Sequence, residues 1–193
     1  MYSCYERLGY DAAVPGNHEF NFGWDKLRAA ADTSEFPWLS ANIVNADTEE
    51  PAFGQPYLVK WLDGNLKVVI LGITTHYIPH WELASHIAGL EFRDVLNTAK
   101  VRASYIREIE QPDLFIVSYH GGFERDLELG HAAERLTGEN QAYAICMEVP
   151  GIDVLITGHQ HRKLAGELNG VSIVQSGCNG QALGQIKVQF ERK

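Results

Sequence analysis

The sequence predicts a layered α/β domain in which mixed β-sheets are flanked by helices. Short apolar runs typical of buried strands alternate with helical stretches along the 193 residues. Two dipeptides, Asp63-Gly64 and Asn169-Gly170, each separate two strand-like runs and are strong hairpin signals. No repeat, low-complexity tract or long linker divides the chain. We therefore treat residues 1–193 as one domain.

The composition narrows the class of protein. Apolar residues make up 45% of the chain and charged residues 21%, so a substantial core can be buried. The formal net charge of −9 argues against a protein that coats a nucleic-acid polymer. No apolar run approaches the ~18 residues that span a bilayer. The three cysteines are far apart, so we expect buried thiols rather than a disulfide framework or a zinc finger.

The first half of the chain is predicted to contain one complete helix and four strands. Met1–Gly9 is interpreted as the end of a further helix, and Trp24–Ala31 as a helix with an apolar face. The predicted strands are Tyr10–Val14, Pro37–Ala41, Tyr57–Leu62 and Leu66–Thr74. The last of these is almost wholly apolar, which is typical of a strand covered on both faces.

The second half repeats this alternation of helices and strands. Asp94–Glu110 carries an apolar stripe at helical spacing, with Asp94 as the predicted N-cap. A second helix is predicted over Asn140–Val149. The predicted strands are Asp113–Tyr119, Asp153–Thr157, Gly166–Leu168, Val171–Gln175 and Gln185–Phe190. Thr75–Phe92 lacks clear periodicity, and we expect a loop with a short helix near the active face.

Three polar clusters follow directly after predicted strands. They are Gly16-Asn17-His18-Glu19, His120-Gly121-Gly122 and Gly158-His159-Gln160-His161. Ligands of α/β sheets bind beyond the carboxyl ends of the strands. If these strands are parallel neighbours, the clusters bring one asparagine and four histidines into a single cleft.

The side chains of these clusters suit a transition-metal ion. Imidazole nitrogens and an asparagine carbonyl are ligands for ions such as Zn, Mn, Fe or Co. His159 and His161 would share one face of a strand, and from a loop both could also reach a common centre. Three or four such ligands satisfy one metal, whereas a two-metal site also needs bridging carboxylates. The remaining histidines are assigned no role: His76, His80, His86 and His131.

The clusters resemble the last three motif blocks of the calcineurin-like dinuclear metallophosphoesterases, in their 5′-nucleotidase branch. Three segments are similar to the 2′,3′-cyclic-nucleotide 2′-phosphodiesterase/3′-nucleotidase group. They are GNHEFNFG (Gly16–Gly23), GENQAY (Gly138–Tyr143) and VPGIDVLITGHQHR (Val149–Arg162). The resemblance covers nearly the whole chain. It implies the layered metallophosphoesterase fold, with mixed sheets flanked by helices.

The resemblance also implies roles for individual residues. Asn17, His120 and His159 match ligands of one metal, and His161 matches a ligand of the other. His18 matches the catalytic histidine beside the substrate phosphate. In the family, a hydroxide that bridges two divalent cations attacks phosphorus in line, and the histidine stabilises or protonates the departing oxygen.

One departure from the family pattern concerns the partner of His18. The 5′-nucleotidases usually place an Asp three residues after this histidine, and here the position is Asn21. An amide can orient an imidazole, but it cannot stabilise imidazolium by charge. Asn21 is therefore expected to support His18, and it is also a cue for the cyclic-phosphodiesterase group.

A larger departure concerns the acidic ligands. The family's first two blocks, Asp-x-His and Gly-Asp-x-x-Asp, supply carboxylates and a histidine to the metals, and this sequence contains no Asp-x-His and no Gly-Asp. We therefore expect the chain to be a metallophosphoesterase domain fragment, incomplete at the N-terminus and without the C-terminal nucleotide-binding domain. Such a fragment would bind one divalent cation or none, where the intact family site holds two. It could self-associate through sheet edges left uncovered.

The function that the resemblance implies is metal-dependent hydrolysis of a small nucleotide. The first expectation is a 2′,3′-cyclic-nucleotide phosphodiesterase/3′-nucleotidase, whose parent is exported to the periplasm or the cell surface. One alternative is a 5′-nucleotidase or a nucleotide-sugar hydrolase. Another is a catalytically incomplete domain that only binds or interacts. The sequence leaves open the metal, the nucleotide-binding residues and the oligomeric state.

Overall fold

A computed structural model describes residues 2–191, so Met1 of the predicted first helix lies outside the described residues. The helices are α1 Tyr2–Leu8, α2 Trp24–Asp32, α3 Val95–Tyr105 and α4 Ala142–Glu148. The strands are β1 Ile43–Asn45, β2 Tyr57–Leu62, β3 Leu66–Thr74, β4 Leu90–Phe92, β5 Leu114–His120, β6 Val154–Thr157, β7 Lys163–Leu168 and β8 Val171–Ser176. Short 3₁₀ helices cover Asn17–Phe22, Ile78–His80 and Ala84–His86.

The main sheet has six strands in the order β2-β3-β5-β6-β8-β7. Its four central strands are parallel, and β2 and β7 pair antiparallel at the edges. A separate ribbon joins β1 to β4. The predicted mixed α/β sheet is thus confirmed. Thr74 pairs with His120, and Tyr119 pairs with Thr157, so the carboxyl ends of β3, β5 and β6 meet at one edge.

Both predicted hairpins are present. Asn169 and Gly170 have φ values of 52° and 78°, the left-handed conformation that a two-residue type I′ turn requires at both positions. The first hairpin closes through a three-residue loop, in which Gly64 and Asn65 have φ values of 79° and 64°. In each case the turn residues fix the register of the strands that follow.

The predicted long helix is also confirmed. Asp94 caps α3 by accepting a hydrogen bond from the Asn97 amide at 2.8 Å. The helix continues through a wider π-type segment, Ile106–Glu110, and stops where Gln111 adopts a left-handed φ of 49°. Its buried stripe faces the sheet and consists of Val95, Ala99, Ala103 and Ile106. The second predicted helix forms as α4, within two residues of its expected bounds.

Three predicted strands are wrong. Tyr10–Val14 and Pro37–Ala41 contain only isolated parallel bridges, such as that between Ala13 and Trp38. Gln185–Phe190 is irregular chain lying against the sheet. These runs are apolar because their side chains pack into clusters, Trp38 in one and Ile186 in another, while their backbones lack a continuous ladder partner. The apolar pattern of a sequence indicates which side chains are buried, but not whether their backbones pair with a neighbouring strand.

The core lies mainly on one face of the six-stranded sheet, where α3 and α4 cover β3, β5, β6 and β8. The opposite face is thinner, with Leu114 and Val154 packed against Ile186. An apolar groove of about 420 Å³ opens there beneath the chain around Leu183. Ile156 remains 41% exposed, so this face is incompletely covered.

Two composition-based expectations can be compared with the fold. Within residues 2–191, no helix is long and apolar enough to cross a membrane. All three cysteines are free, but only Cys146 is buried, whereas Cys4 is exposed and Cys178 is half-buried. The expectation of buried thiols therefore holds for one cysteine of the three.

Replacing Gly72 by alanine is expected to destabilise the fold. A Cβ on this residue of β3 would collide with the Leu39 side chain and lie 2.9 Å from the Leu39 carbonyl oxygen. Overpacking of this kind costs about 1–3 kcal/mol in the free energy of unfolding. The measurement is denaturant unfolding of Gly72→Ala.

The matched control is Gly166→Ala in β7, where the nearest atom to an added Cβ is 4.0 Å away. This variant is expected to stay within about 0.5 kcal/mol of the original chain. Equal unfolding midpoints for the two variants would contradict the close packing of β3 against Leu39.

Candidate metal centre

The loop that carries Asn17 is fixed to the carboxyl end of β3. The Thr74 hydroxyl donates to the Pro15 carbonyl at 2.7 Å. The Asn42 side chain accepts from the Thr74 amide at 2.9 Å and donates to the Thr74 carbonyl at 2.7 Å. Asn42 and Thr74 are fully buried, and buried polar groups paired in this way resist displacement. The loop therefore has a defined position relative to the sheet.

Three side chains from distant segments meet at the sheet edge. Asn17 Oδ1 lies 2.9 Å from His120 Nε2 and 3.2 Å from His159 Nδ1. His120 ends β5, His159 follows β6, and Asn17 opens a 3₁₀ helix. We call Asn17, His120 and His159 the donor trio. The spatial meeting of the polar clusters is therefore observed for these three residues.

Gly16 makes the close approach possible. A Cβ at this position would lie 2.6 Å from His120 Cε1 and 2.9 Å from Glu19 Oε2. The Gly16 amide instead donates to Glu19 Oε2 at 2.8 Å. Glycine thus lets the loop pass directly against the imidazole of His120.

The spacing of the donor trio fits a metal ion. An octahedral ion such as Mg²⁺ binds its ligands at about 2.0–2.1 Å, and Mn²⁺ favours the same geometry, so two neighbouring ligands at right angles lie about 3 Å apart. The separations of 2.9 Å and 3.2 Å are close to this value.

The protonation of His159 gives a second argument for a cation. Its Nε2 lies 2.8 Å from Glu139 Oε1, so this nitrogen donates its proton to the carboxylate. In the neutral ring, Nδ1 then presents a lone pair toward the carbonyl oxygen of Asn17. In that form of the ring, the two acceptors face one point, where a cation would be bound by both.

His120 is held in the form that binds metals. Burial, with smaller contributions from the neighbouring His159, His18 and His161, lowers the pKa of its imidazole to about 4. The ring is therefore neutral near pH 7. Neutral imidazole is the ligand form of histidine.

His161 does not join the donor trio in the described part of the chain. It lies close enough for its charge to affect His120, and its φ of 58° places it in the left-handed region. Within residues 2–191, no group of three or more His, Cys, Asp or Glu side chains is arranged to hold a metal. The donor trio, two histidines and one asparagine, is the candidate site for a single cation.

Gln160 anchors the loop between the two histidines. Its side chain accepts from the Phe123 amide at 2.9 Å and donates to the Phe123 carbonyl at 3.1 Å and to Glu134 at 2.9 Å. Gly122 leaves room for it, because a Cβ there would collide with the Gln160 side chain. Since β6 ends at Thr157, the histidines lie in a loop rather than on one strand face.

Glu139 belongs to the site although no role was predicted for it. Its backbone carbonyl accepts from the Thr75 hydroxyl at 2.7 Å and from the Tyr119 hydroxyl at 3.3 Å. Its carboxylate is thereby placed against His159. A carboxylate on the far nitrogen of a ligating histidine fixes the tautomer and orients the ring. The GENQAY segment resembled the family, but nothing in it indicated this contact.

His18 lies beside the donor trio on an exposed surface. Its Nδ1 is 2.9 Å from Asn21 Oδ1, because residues three apart face each other in the 3₁₀ helix. The segment after β3 closes one side of the site. It places the Trp81 ring 5.4 Å from the His159 ring, and Glu82 beside Asn21. The sequence placed this segment near the active face but singled out neither residue.

Comparisons with known proteins agree on one family. Residues 3–163 match the calcineurin-like phosphoesterase family. A Salmonella typhimurium relative, a 2′,3′-cyclic-nucleotide 2′-phosphodiesterase/3′-nucleotidase, is 31% identical over 208 residues, covering 96% of this chain and 31% of its own length. A Vibrio vulnificus 5′-nucleotidase is 29% identical, covering 95% of this chain and 36% of its own. The chain therefore spans about a third of the length of these relatives.

A solved structure supports the same likeness. It is that of a Staphylococcus aureus protein assigned as a 5′-nucleotidase, with a TM-score of 0.83 and 36% identity. The match covers 91% of this chain and 34% of that chain. The layered arrangement of sheet and helices is thus that of the solved protein.

Removing the charge of Glu139 is expected to weaken cation binding. In Glu139→Gln, the amide can present either oxygen or nitrogen to His159, so the tautomer with a free Nδ1 is no longer enforced. Mutation of a residue that hydrogen-bonds to a metal ligand typically lowers metal affinity by about 10–100-fold. The measurement is titration of the chain with Mn²⁺, where we expect at most one site.

Glu148→Gln is the control, because Glu148 is exposed and pairs with Lys100 away from the site. It should bind Mn²⁺ as the original chain does. An unchanged affinity in Glu139→Gln would show that the carboxylate does not act through His159.

Proposed function

Because the chain belongs to the calcineurin-like phosphoesterase family, we propose that its metal centre serves hydrolysis of small nucleotides, foremost 2′,3′-cyclic nucleotides and 3′-nucleotides. The observation that carries this proposal is the meeting of Asn17, His120 and His159 around one point, with His18 beside them. The Salmonella relative supports the choice of substrate class.

The donor trio would hold the divalent cation in this proposal. A cation bound there supplies Lewis-acid polarisation of a phosphoryl oxygen. His120 contributes a neutral imidazole, because burial keeps its pKa low. Glu139 holds the His159 ring so that Nδ1 faces the same point as Asn17 Oδ1.

His18 is the proposed catalytic residue. Asn21 Oδ1 accepts from its Nδ1, which leaves Nε2 available toward the substrate side. From Nε2, a protonated His18 would give its proton to the ribose oxygen as a water oxygen bonds to phosphorus and the bond from phosphorus to the ribose oxygen breaks. Imidazole titrates close to neutral pH and is therefore suited to this step.

We propose one cation per chain rather than the family's two. The donor trio provides an amide and two imidazoles, whereas a second metal needs a bridging carboxylate. The acidic blocks that supply one in the family are not found in this sequence. His161 remains the proposed ligand for a second metal once those blocks are provided. Alone, the chain is expected to hydrolyse cyclic nucleotides slowly or not at all.

The test of function uses a chimera in which the family's two acidic blocks precede residue 1. In it, His18→Ala is expected to lower hydrolysis of 2′,3′-cyclic AMP by about 10²–10⁴-fold while Mn²⁺ binding persists. His159→Ala is expected to lose both. The control is His131→Ala, which alters an exposed histidine away from the site. Near-normal rates in His18→Ala would contradict the catalytic assignment.

The products distinguish the two candidate activities. A 3′-nucleotide and then a nucleoside are expected from the cyclic substrate. The Vibrio and Staphylococcus proteins favour 5′-nucleotidase as the second candidate. Release of nucleoside from a 5′-monophosphate alone would support that alternative. We further propose that the protein works outside the cytoplasm, where nucleotides are scavenged.

We also propose that a second copy of the chain covers the open face of the sheet. Ile156 and Val188 are 41% and 40% exposed there, beside the groove of about 420 Å³. Light scattering should show association that grows with concentration and that Ile156→Lys reduces, because a charge on this face would be desolvated by a partner. A monomer at every concentration would contradict the proposal.

A further inference from the structure

The contact between His18 and Asn21 continues to a carboxylate. Asn21 Nδ2 donates to Glu82 Oε2 at 3.0 Å, although the two residues are 61 positions apart in sequence. Glu82 belongs to the segment that closes one side of the site after β3. A linear path of hydrogen bonds therefore joins the His18 ring to Glu82 through a single amide.

Glu82 is held in place by its other contacts. Its Oε1 accepts from the Leu83 amide at 3.0 Å and lies 2.8 Å from His86 Nδ1. Its side chain is only 9% exposed. Burial acts to raise its pKa, but the hydrogen bonds from Leu83, His86 and Asn21 outweigh that effect and lower the pKa of Glu82 below its ordinary value. Glu82 is therefore a fixed anion near neutral pH.

The ionised carboxylate determines which way the Asn21 amide points. A carboxylate accepts hydrogen bonds and donates none, so the Asn21 amide nitrogen must face Glu82. The amide oxygen must then face His18. Because that oxygen is also only an acceptor, His18 Nδ1 must carry a proton, and Nε2 is the nitrogen left for the reaction.

We propose that Glu82 is a positioning residue that sets the tautomer of His18 through Asn21. It acts as the anion that the Asp found in 5′-nucleotidases would provide, displaced by one amide. The inference deepens the proposed function, because the catalytic importance of the tautomer rests on it. The hydrogen-bond argument itself does not require that the chain hydrolyses a nucleotide.

The test measures the tautomer directly in the 193-residue chain by ¹H–¹⁵N NMR of the histidine rings, without substrate or metal. The original chain is expected to show His18 as the neutral Nδ1–H form. In Glu82→Gln, the Leu83 amide holds the glutamine oxygen, so the glutamine nitrogen faces Asn21. Asn21 must then turn its own oxygen to the glutamine and its nitrogen to His18, and His18 is expected to change to the Nε2–H form.

The double variant Asn21→Asp with Glu82→Gln is expected to restore the Nδ1–H form. An aspartate at position 21 can only accept, so His18 must again donate from Nδ1, and the glutamine amide donates to the aspartate. If Glu82 acted only in folding, the change of Asn21 to aspartate would not restore the tautomer of His18. The control is Glu91→Gln, which removes an exposed acid that pairs with Arg93 and should leave the tautomer unchanged.

Two results would overturn the proposal. One is a pure Nδ1–H signal from His18 in Glu82→Gln. The other is a double variant in which His18 stays in the Nε2–H form. If the chimera does not hydrolyse nucleotides but the His18 tautomer responds to the variants as expected, only the proposed function is contradicted. The two failures are therefore distinguishable.

Discussion

One carboxamide oxygen, Oδ1 of Asn17, organises the site, because imidazoles from two other segments face it at 2.9 Å and 3.2 Å. The parallel order of β3, β5 and β6 brings the three chain segments to one edge. Buried hydrogen bonds between Asn42 and Thr74 and from Thr74 to Pro15 hold the asparagine loop there. The fold thus brings three side chains that can bind a cation to one point, which is the basis of the proposed metal centre.

Two histidines with proposed chemical roles are oriented by the same physical rule. His159 donates from Nε2 directly to Glu139, which leaves Nδ1 for the proposed metal. His18 is linked from Nδ1 through Asn21 to Glu82, which leaves Nε2 for the proposed substrate. In each case an anion determines which nitrogen carries the proton. The two cases differ because the Asn21 amide lies between His18 and Glu82. This amide transmits the orientation, but the negative charge is farther from the His18 ring than that of Glu139 is from the His159 ring.

Much of this arrangement could be predicted from local sequence. The strands ending at Thr74, His120 and Thr157 are apolar runs, and the glycines after His120 and Thr157 indicated loops that approach a ligand closely. Turn chemistry predicted both hairpins, and the side chain of Asp94 predicted the start of α3. These features depend on neighbours within a few residues, so the sequence contains enough information to place them.

The remaining features depend on contacts that local sequence does not encode. Glu82 reaches Asn21 across 61 positions, and Glu139 reaches His159 across 20. Trp38 lies in an apolar run that resembles a strand, yet it packs in an aromatic cluster with Phe36 and Phe53. His161 was grouped with His159 by spacing, but both residues have a left-handed φ in a loop after β6, and only His159 contacts Asn17 among the described side chains. Tertiary packing decided each of these cases.

The most direct test is anomalous scattering from crystals of the chain grown with Mn²⁺ or Zn²⁺. The account predicts one strong peak about 2.0–2.3 Å from Asn17 Oδ1, His120 Nε2 and His159 Nδ1. A structure in which these three atoms surround no peak, or in which the cation binds elsewhere on the chain, would contradict it.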